Sequence, residues 1–185
     1  MIILITGASH TGKTLLAQRL LEGFNYPYLS IDHLKMGLIR SRNTTLTPED
    51  DEALTDYLWP IVREMVKTAI ENHQNLIVEG CYIPPHWRED FDPQYLQSIH
   101  FICLAMTDAY IDSYFDEIRL HASDIETRLH DTDFTPETLK ADNRHYIDAF
   151  TRCGEQIVLI DTDYEATIKA LYDFFNFAFK NVLKR

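Results

Sequence analysis

Near the N-terminus, Gly7-Ala-Ser-His-Thr-Gly-Lys-Thr14 sets two glycines, a lysine and a hydroxyl at the spacing G-x-x-x-x-G-K-[ST]. Glycines allow the backbone to curl until successive N–H groups, including those of Ser9, His10, Thr11 and Gly12, converge on phosphate oxygens. Lys13 then brings a point charge to the β- and γ-phosphates, and the Thr14 hydroxyl suits Mg2+. Four fixed positions recur by accident in roughly one chain of this length per hundred or two. Context narrows that further, because an apolar run, Ile2 to Ile5, precedes the loop and an amphipathic helix, Thr14 to Leu21, follows it. Such a helix turns its positive end to the anion. A bound nucleotide, ATP with Mg2+, is therefore expected at Gly7 to Thr14.

Other charged residues suit chemistry at a transferred phosphate. Asp32 ends the apolar run Tyr28 to Ile31 and could accept a proton from a substrate hydroxyl or help hold magnesium. The alternative is a simple N-cap for a helix beginning near His33. Glu79 closes Leu76 to Val78, where a carboxylate beside the loop would order magnesium or its waters; Gly80 follows as a sharp turn. Arg119 and Arg128 flank a polar stretch that lacks periodicity, and mobile arginines stabilise the charge of phosphoryl transfer. A lid over about 119–135 is expected there. Arg40 and Arg42 are candidates for holding an anionic substrate. His121, His130 and His145, with Asp131 and Asp133, show no metal-ligand spacing.

These residues need elements to position them. Five apolar runs, Ile2–Ile5, Tyr28–Ile31, Leu76–Val78, Ile99–Leu104 and Ile157–Ile160, are continuous rather than alternating, as in strands buried on both faces of a parallel sheet. Helical periodicity fills the gaps. One helix is predicted from Pro48, capped by Thr47 and kinked at Pro60. Others follow Thr107, open at Thr135-Pro136-Glu137, and run from about Tyr164 almost to the end. Phe174, Phe175, Phe177 and Phe179 make that last helix apolar around much of its girth, for core packing or a dimer contact. Strand and helix alternation predicts a three-layer α/β domain with right-handed crossovers and ligands at the strands' carboxyl ends.

The chain of 185 residues carries a net charge of −12, with 45% hydrophobic and 25% charged residues, and shows no linker or repeat. A single domain, 1–185, is expected. No basic cluster is present to grip nucleic acid. No apolar run reaches the roughly 18 residues of a membrane span. Cys81, Cys103 and Cys153 form no CxxC pair, which suits a reducing compartment. The cytoplasm is the expected location, with no charged leader at Met1, and the protein a monomer or homodimer.

With the loop, Asp32 and Glu79 in place, the chain resembles the P-loop kinases related to nucleoside monophosphate and shikimate kinases. The resemblance implies a five-stranded parallel sheet, a lid over the phosphates, and transfer from ATP with magnesium. Asp32-His33-Leu34-Lys35 is similar to the Asp-x-Leu-Arg start of the acceptor helix in adenylate kinases, which makes Lys35 a substrate-binding candidate beside Asp32 and Arg40. Ile160-Asp161-Thr162 resembles the adenine-side segment after the last strand. Where adenylate-type kinases read Asp-Gly-Phe-Pro-Arg, this chain reads Glu79-Gly80-Cys81-Tyr82-Ile83, without the arginine that clamps an acceptor phosphate. Ser30-Ile31-Asp32 also resembles small-molecule kinases such as chloramphenicol phosphotransferase, whose acid serves a hydroxyl. The expected activity is an ATP- and magnesium-dependent kinase of a small molecule, more on a hydroxyl than on a nucleoside monophosphate. A regulatory nucleotide switch is the alternative of another class.

Overall fold

The computed structural model describes residues 1–121 and 134–182, with side chains of the last helix as far as 177. Five strands, β1 (Ile2–Gly7), β2 (Tyr28–Ser30), β3 (Leu76–Glu79), β4 (Ile99–Met106) and β5 (Ile157–Ile160), form one parallel sheet in the order β2-β3-β1-β4-β5. All five apolar runs become strands, each within two residues of its predicted ends. The helices are α1 (Lys13–Phe24), α2 (Ile31–Arg40), α3 (Asp51–Glu71), a short α4 (Pro93–Leu96), α5 (Asp108–His121), α6 (Pro136–Arg152) and α7 (Tyr164–Val182).

Alternation along β1 builds both halves of the core. Ile2 and Leu4 face α3 and α6, packing with Leu58, Val62, Val66 and Phe150. Ile3 and Ile5 face α1 and α7, packing with Leu16, Leu20, Ile168 and Phe175. From residue 2 to residue 8 the chain is buried throughout, so the glycine-containing loop that follows springs from a strand held on both faces. The chain leaves β1 towards β2 on one side and β4 towards β5 on the other. The crevice between their carboxyl ends is the switch point where such sheets take ligands.

Several boundaries differ from the sequence reading, each for a local reason. The helix expected from Pro48 begins three residues later, at Asp51. Thr47 does not cap it; the Asp50 carboxylate instead accepts hydrogen bonds from the Thr47 N–H and hydroxyl, at 2.7 and 2.9 Å, and closes a turn ahead of it. The helix continues through Pro60, whose exposed position leaves the freed Asp56 carbonyl open to solvent. Asp32 is not an N-cap, because α2 starts at Ile31 and places Asp32 in its first turn. Thr135 does cap α6, in a reciprocal capping box with Thr138. In α7 Phe175 is buried, whereas Phe174 and Phe177 face outward, so core packing accounts for Phe175 and not for those two, while the Phe179 side chain lies outside the described ones.

Burial also sorts the thiols. It pushes Cys81 and Cys103 up to about 12, while Cys153 is exposed at the end of α6. Thiolate is the reacting form. A disulfide-exchange reagent at pH 8 is expected to find one fast thiol, Cys153, and the other two only on unfolding. Three fast thiols in the native protein would contradict this packing.

Candidate functional site

The loop after β1 folds back on itself around one carbonyl. Ala8 O accepts from the Lys13 ammonium at 2.7 Å and from the Thr11 hydroxyl at 2.8 Å. Lys13 opens α1 and is only 6% exposed. His10 and Gly12 take the left-handed conformation, with φ of 61° and 76°. At Gly12 a side chain is excluded twice over, since a Cβ there would lie 1.8 Å from the Tyr164 hydroxyl. The His10 ring stacks on Phe134 with centroids 4.1 Å apart. The Ser9 N–H, expected to face phosphate, donates at 2.8 Å to the Asp142 carboxylate of α6.

Beneath the loop lies Glu79, 1% exposed at the end of β3. One of its oxygens accepts from the Tyr28 hydroxyl at 2.7 Å, and the other from the Thr14 hydroxyl at 3.4 Å. Thr14 and Glu79, the two residues expected to meet magnesium, are thus brought together. Their hard oxygen donors fit Mg2+, which takes a few protein oxygens and keeps several waters.

Gly80 fixes the next part. Its φ is 154°, and a Cβ would lie 2.8 Å from the Cβ of Ile31. Only glycine lets the start of α2 lean this closely on the residue after Glu79. That contact brings Asp32 to the same edge. Asp32 is paired with Lys35 at 2.6 Å, and Lys35 also donates at 2.8 Å to the Tyr82 hydroxyl. Tyr82 in turn donates to the Asp51 carboxylate at 3.1 Å. Burial, then neighbouring negative charge, raises the Tyr82 phenol, so it stays a neutral donor.

The remaining candidates scatter. Arg40 is exposed at the last position of α2, about 12 Å along the axis from Asp32. Arg42 follows it, exposed, in a left-handed turn. Arg119 is exposed in the last turn of α5, which continues helically to His121 where the sequence lacked periodicity. Arg128 lies outside the described residues, as does most of the expected lid.

On the other side of the loop a cleft of about 710 Å³ opens between α5 and the start of α7. His10, Lys13, Thr14, Arg19, Tyr110 and Tyr164 are among its walls. Arg19 is held there by both oxygens of Glu165, at 2.8 and 2.9 Å. Burial raises Tyr164 to about 12, which keeps it neutral against the loop. A larger concavity, about 1020 Å³, lies at the opposite edge of the sheet among Phe24, Tyr26, His73 and Leu76, far from the loop. The cleft beside the loop has the chemistry. Thr162, from the segment after β5, lines it as well.

No protein-family model and no curated protein sequence matches the chain. Among solved structures, a shikimate kinase from Bacteroides thetaiotaomicron gives a TM-score of 0.55 at 13% identity, over 95% of this chain and 98% of that one. A sugar kinase from a Janibacter species gives 0.54 at 16% identity, over 95% and 94%. The chain has the fold of the P-loop small-molecule kinases. Within that kinase fold, the sequence reading missed Tyr28, Asp51, Tyr82, Asp142 and Tyr164. Tyr164 alone had a local signal, standing just past Ile160-Asp161-Thr162.

Substituting Gly12→Ala forces a left-handed alanine against the Tyr164 ring. A stability loss of about 1–3 kcal/mol is expected from the backbone strain, together with loss of nucleotide binding. Urea unfolding and ATP titration check both; an unchanged affinity would contradict the loop geometry.

Proposed function

We propose that the protein is an ATP- and Mg2+-dependent phosphotransferase acting on a hydroxyl of a small molecule. The observation that carries this reading is the convergence of the Lys13 loop, the Thr14–Glu79 pair and the Asp32–Lys35 pair at one edge of the sheet. Loop amides and Lys13 would hold the triphosphate, with its nucleoside in the cleft lined by Tyr110 and Tyr164. Thr14 and Glu79 would hold Mg2+, and a metal bound there supplies positive charge to the β- and γ-oxygens. Arg119 and Arg128 are the candidates to neutralise the transferred group from the lid.

Asp32 takes the proton. As the acceptor oxygen bonds to the γ-phosphorus, the bond to the β–γ bridging oxygen breaks and ADP leaves. The acceptor's proton passes to the Asp32 carboxylate, which Lys35 and the Gly80 contact hold in place. A nucleoside monophosphate acceptor is less well supported. It would need cations for its phosphate, and Lys35 is already engaged by Asp32 and Tyr82 while Arg40 stands at the far end of α2.

Asp32→Asn keeps the side chain's shape and removes the base. Its kcat on an accepted hydroxyl compound is expected to fall by roughly 10²–10⁴-fold, with ATP affinity within a few-fold of the parent. Steady-state ADP release, with magnesium titrated in both proteins, checks this. If kcat stays within a few-fold while Lys35→Ala destroys acceptor binding, the monophosphate reading takes precedence.

A further inference from the structure

The acceptor edge holds several features that ordinarily capture an anion. The N-termini of α2 and α3 turn positive ends towards it, Lys35 offers an ammonium, and the Ser9 N–H points out of the loop. Each is already answered from within the chain. Asp32 stands in the first turn of α2 and Asp51 in that of α3. Lys35 is paired with Asp32 and donates to Tyr82. Asp142 accepts the Ser9 N–H.

These groups surround one place. Tyr82 links Lys35 to Asp51 through its hydroxyl. Tyr146, one turn beyond Asp142 on α6, donates at 3.1 Å to the carbonyl of Cys81, the residue before Tyr82. The Cys81 thiol feels the charges of Asp32, Lys13, Lys35 and Asp51, and the Tyr146 phenol those of Asp142 and Asp51. Thr6, the last residue but one of β1, lies on the sheet face that α6 covers, two residues past Leu4, and its fully buried hydroxyl has no hydrogen-bond partner among the described residues. A polar group so placed calls for a hydrogen-bonding neighbour.

Among the described residues, the nearby arginines already have acid partners: Arg88 pairs with Glu155 and Arg144 with Asp108.

Resting on the kinase reading above, we propose that the acceptor is a hydroxyl compound without a carboxylate or phosphate, best one that carries an amine. Asp51 and Asp142 are its specificity-determining residues. Their carboxylates repel an anionic group and can accept hydrogen bonds from hydroxyls and from an ammonium, while Tyr82, itself buried, holds Asp51 in place through its hydroxyl.

The test uses matched acceptors that differ in charge: amino sugars, the parent neutral sugars, and the corresponding sugar acids and sugar phosphates. ADP release is followed at saturating MgATP, with Lys13→Ala as the background. The best amine-bearing or neutral member is expected to exceed its acidic counterpart in kcat/KM by at least about tenfold. In the Asp51→Asn, Asp142→Asn double variant that ratio is expected to shrink several-fold, with the acids gaining. Preference for an acid or a phosphate, dependent on Lys13, would overturn the inference and leave the kinase reading standing. A ratio unchanged in the double variant would remove Asp51 and Asp142 as its source. Absence of Lys13-dependent turnover with every member would instead overturn the kinase reading, and this inference with it.

Discussion

A lysine ammonium held almost out of water is the constraint on which the site depends. Lys13 is 6% exposed and donates to the carbonyl of Ala8 in its own loop. Keeping an ammonium at such a depth is costly unless strong acceptors surround it. Ala8 O supplies one such acceptor, whereas the backbone N–H groups at the start of α1 are donors that add positive potential at the same point. An anion placed in the loop meets both at once. Everything beneath the loop serves that geometry, because β1 is buried on both faces and paired on both edges, so the loop cannot relax by moving its stem.

Two charge systems then divide the space on either side. Towards β2 and β3 the chain arranges carboxylates and phenols: Asp32, Asp51, Asp142, Tyr82 and Tyr146. Towards β4 and β5 it arranges a cleft with aromatic walls and a paired arginine, Arg19 with Glu165. The first suits a polar acceptor and the second a flat, less polar group such as a base. Asp142 spans the division, since it sits on α6, the helix that follows residues 122–133, and touches the loop through Ser9.

The sequence made the stem of this arrangement readable and left its walls hidden. Continuous apolar runs mark strands that are buried on both faces, and the loop motif names its own neighbours, so β1, α1, the end of β3 bearing Glu79 and the position of Asp32 just past β2 were all legible. Periodicity says nothing of Trp87, which is fully buried in the connection between β3 and β4, because that connection has no long regular element. Nor does spacing reveal Asp142 opposite Ser9, a pair 133 residues apart brought together only by packing of α6 on the sheet. Local rules also compete. Thr47 before Pro48 satisfies every cap rule, yet the Asp50 side chain captures its N–H and delays the helix.

The central claim is that the loop from Gly7 to Thr14 is a nucleoside triphosphate site built around Lys13. Calorimetric titration of MgATP into the parent protein and into Lys13→Ala tests it most directly. The account predicts a single site in the parent and at least a tenfold loss of affinity in the variant, with thermal unfolding of the two proteins otherwise alike. Equal affinity in both would contradict it.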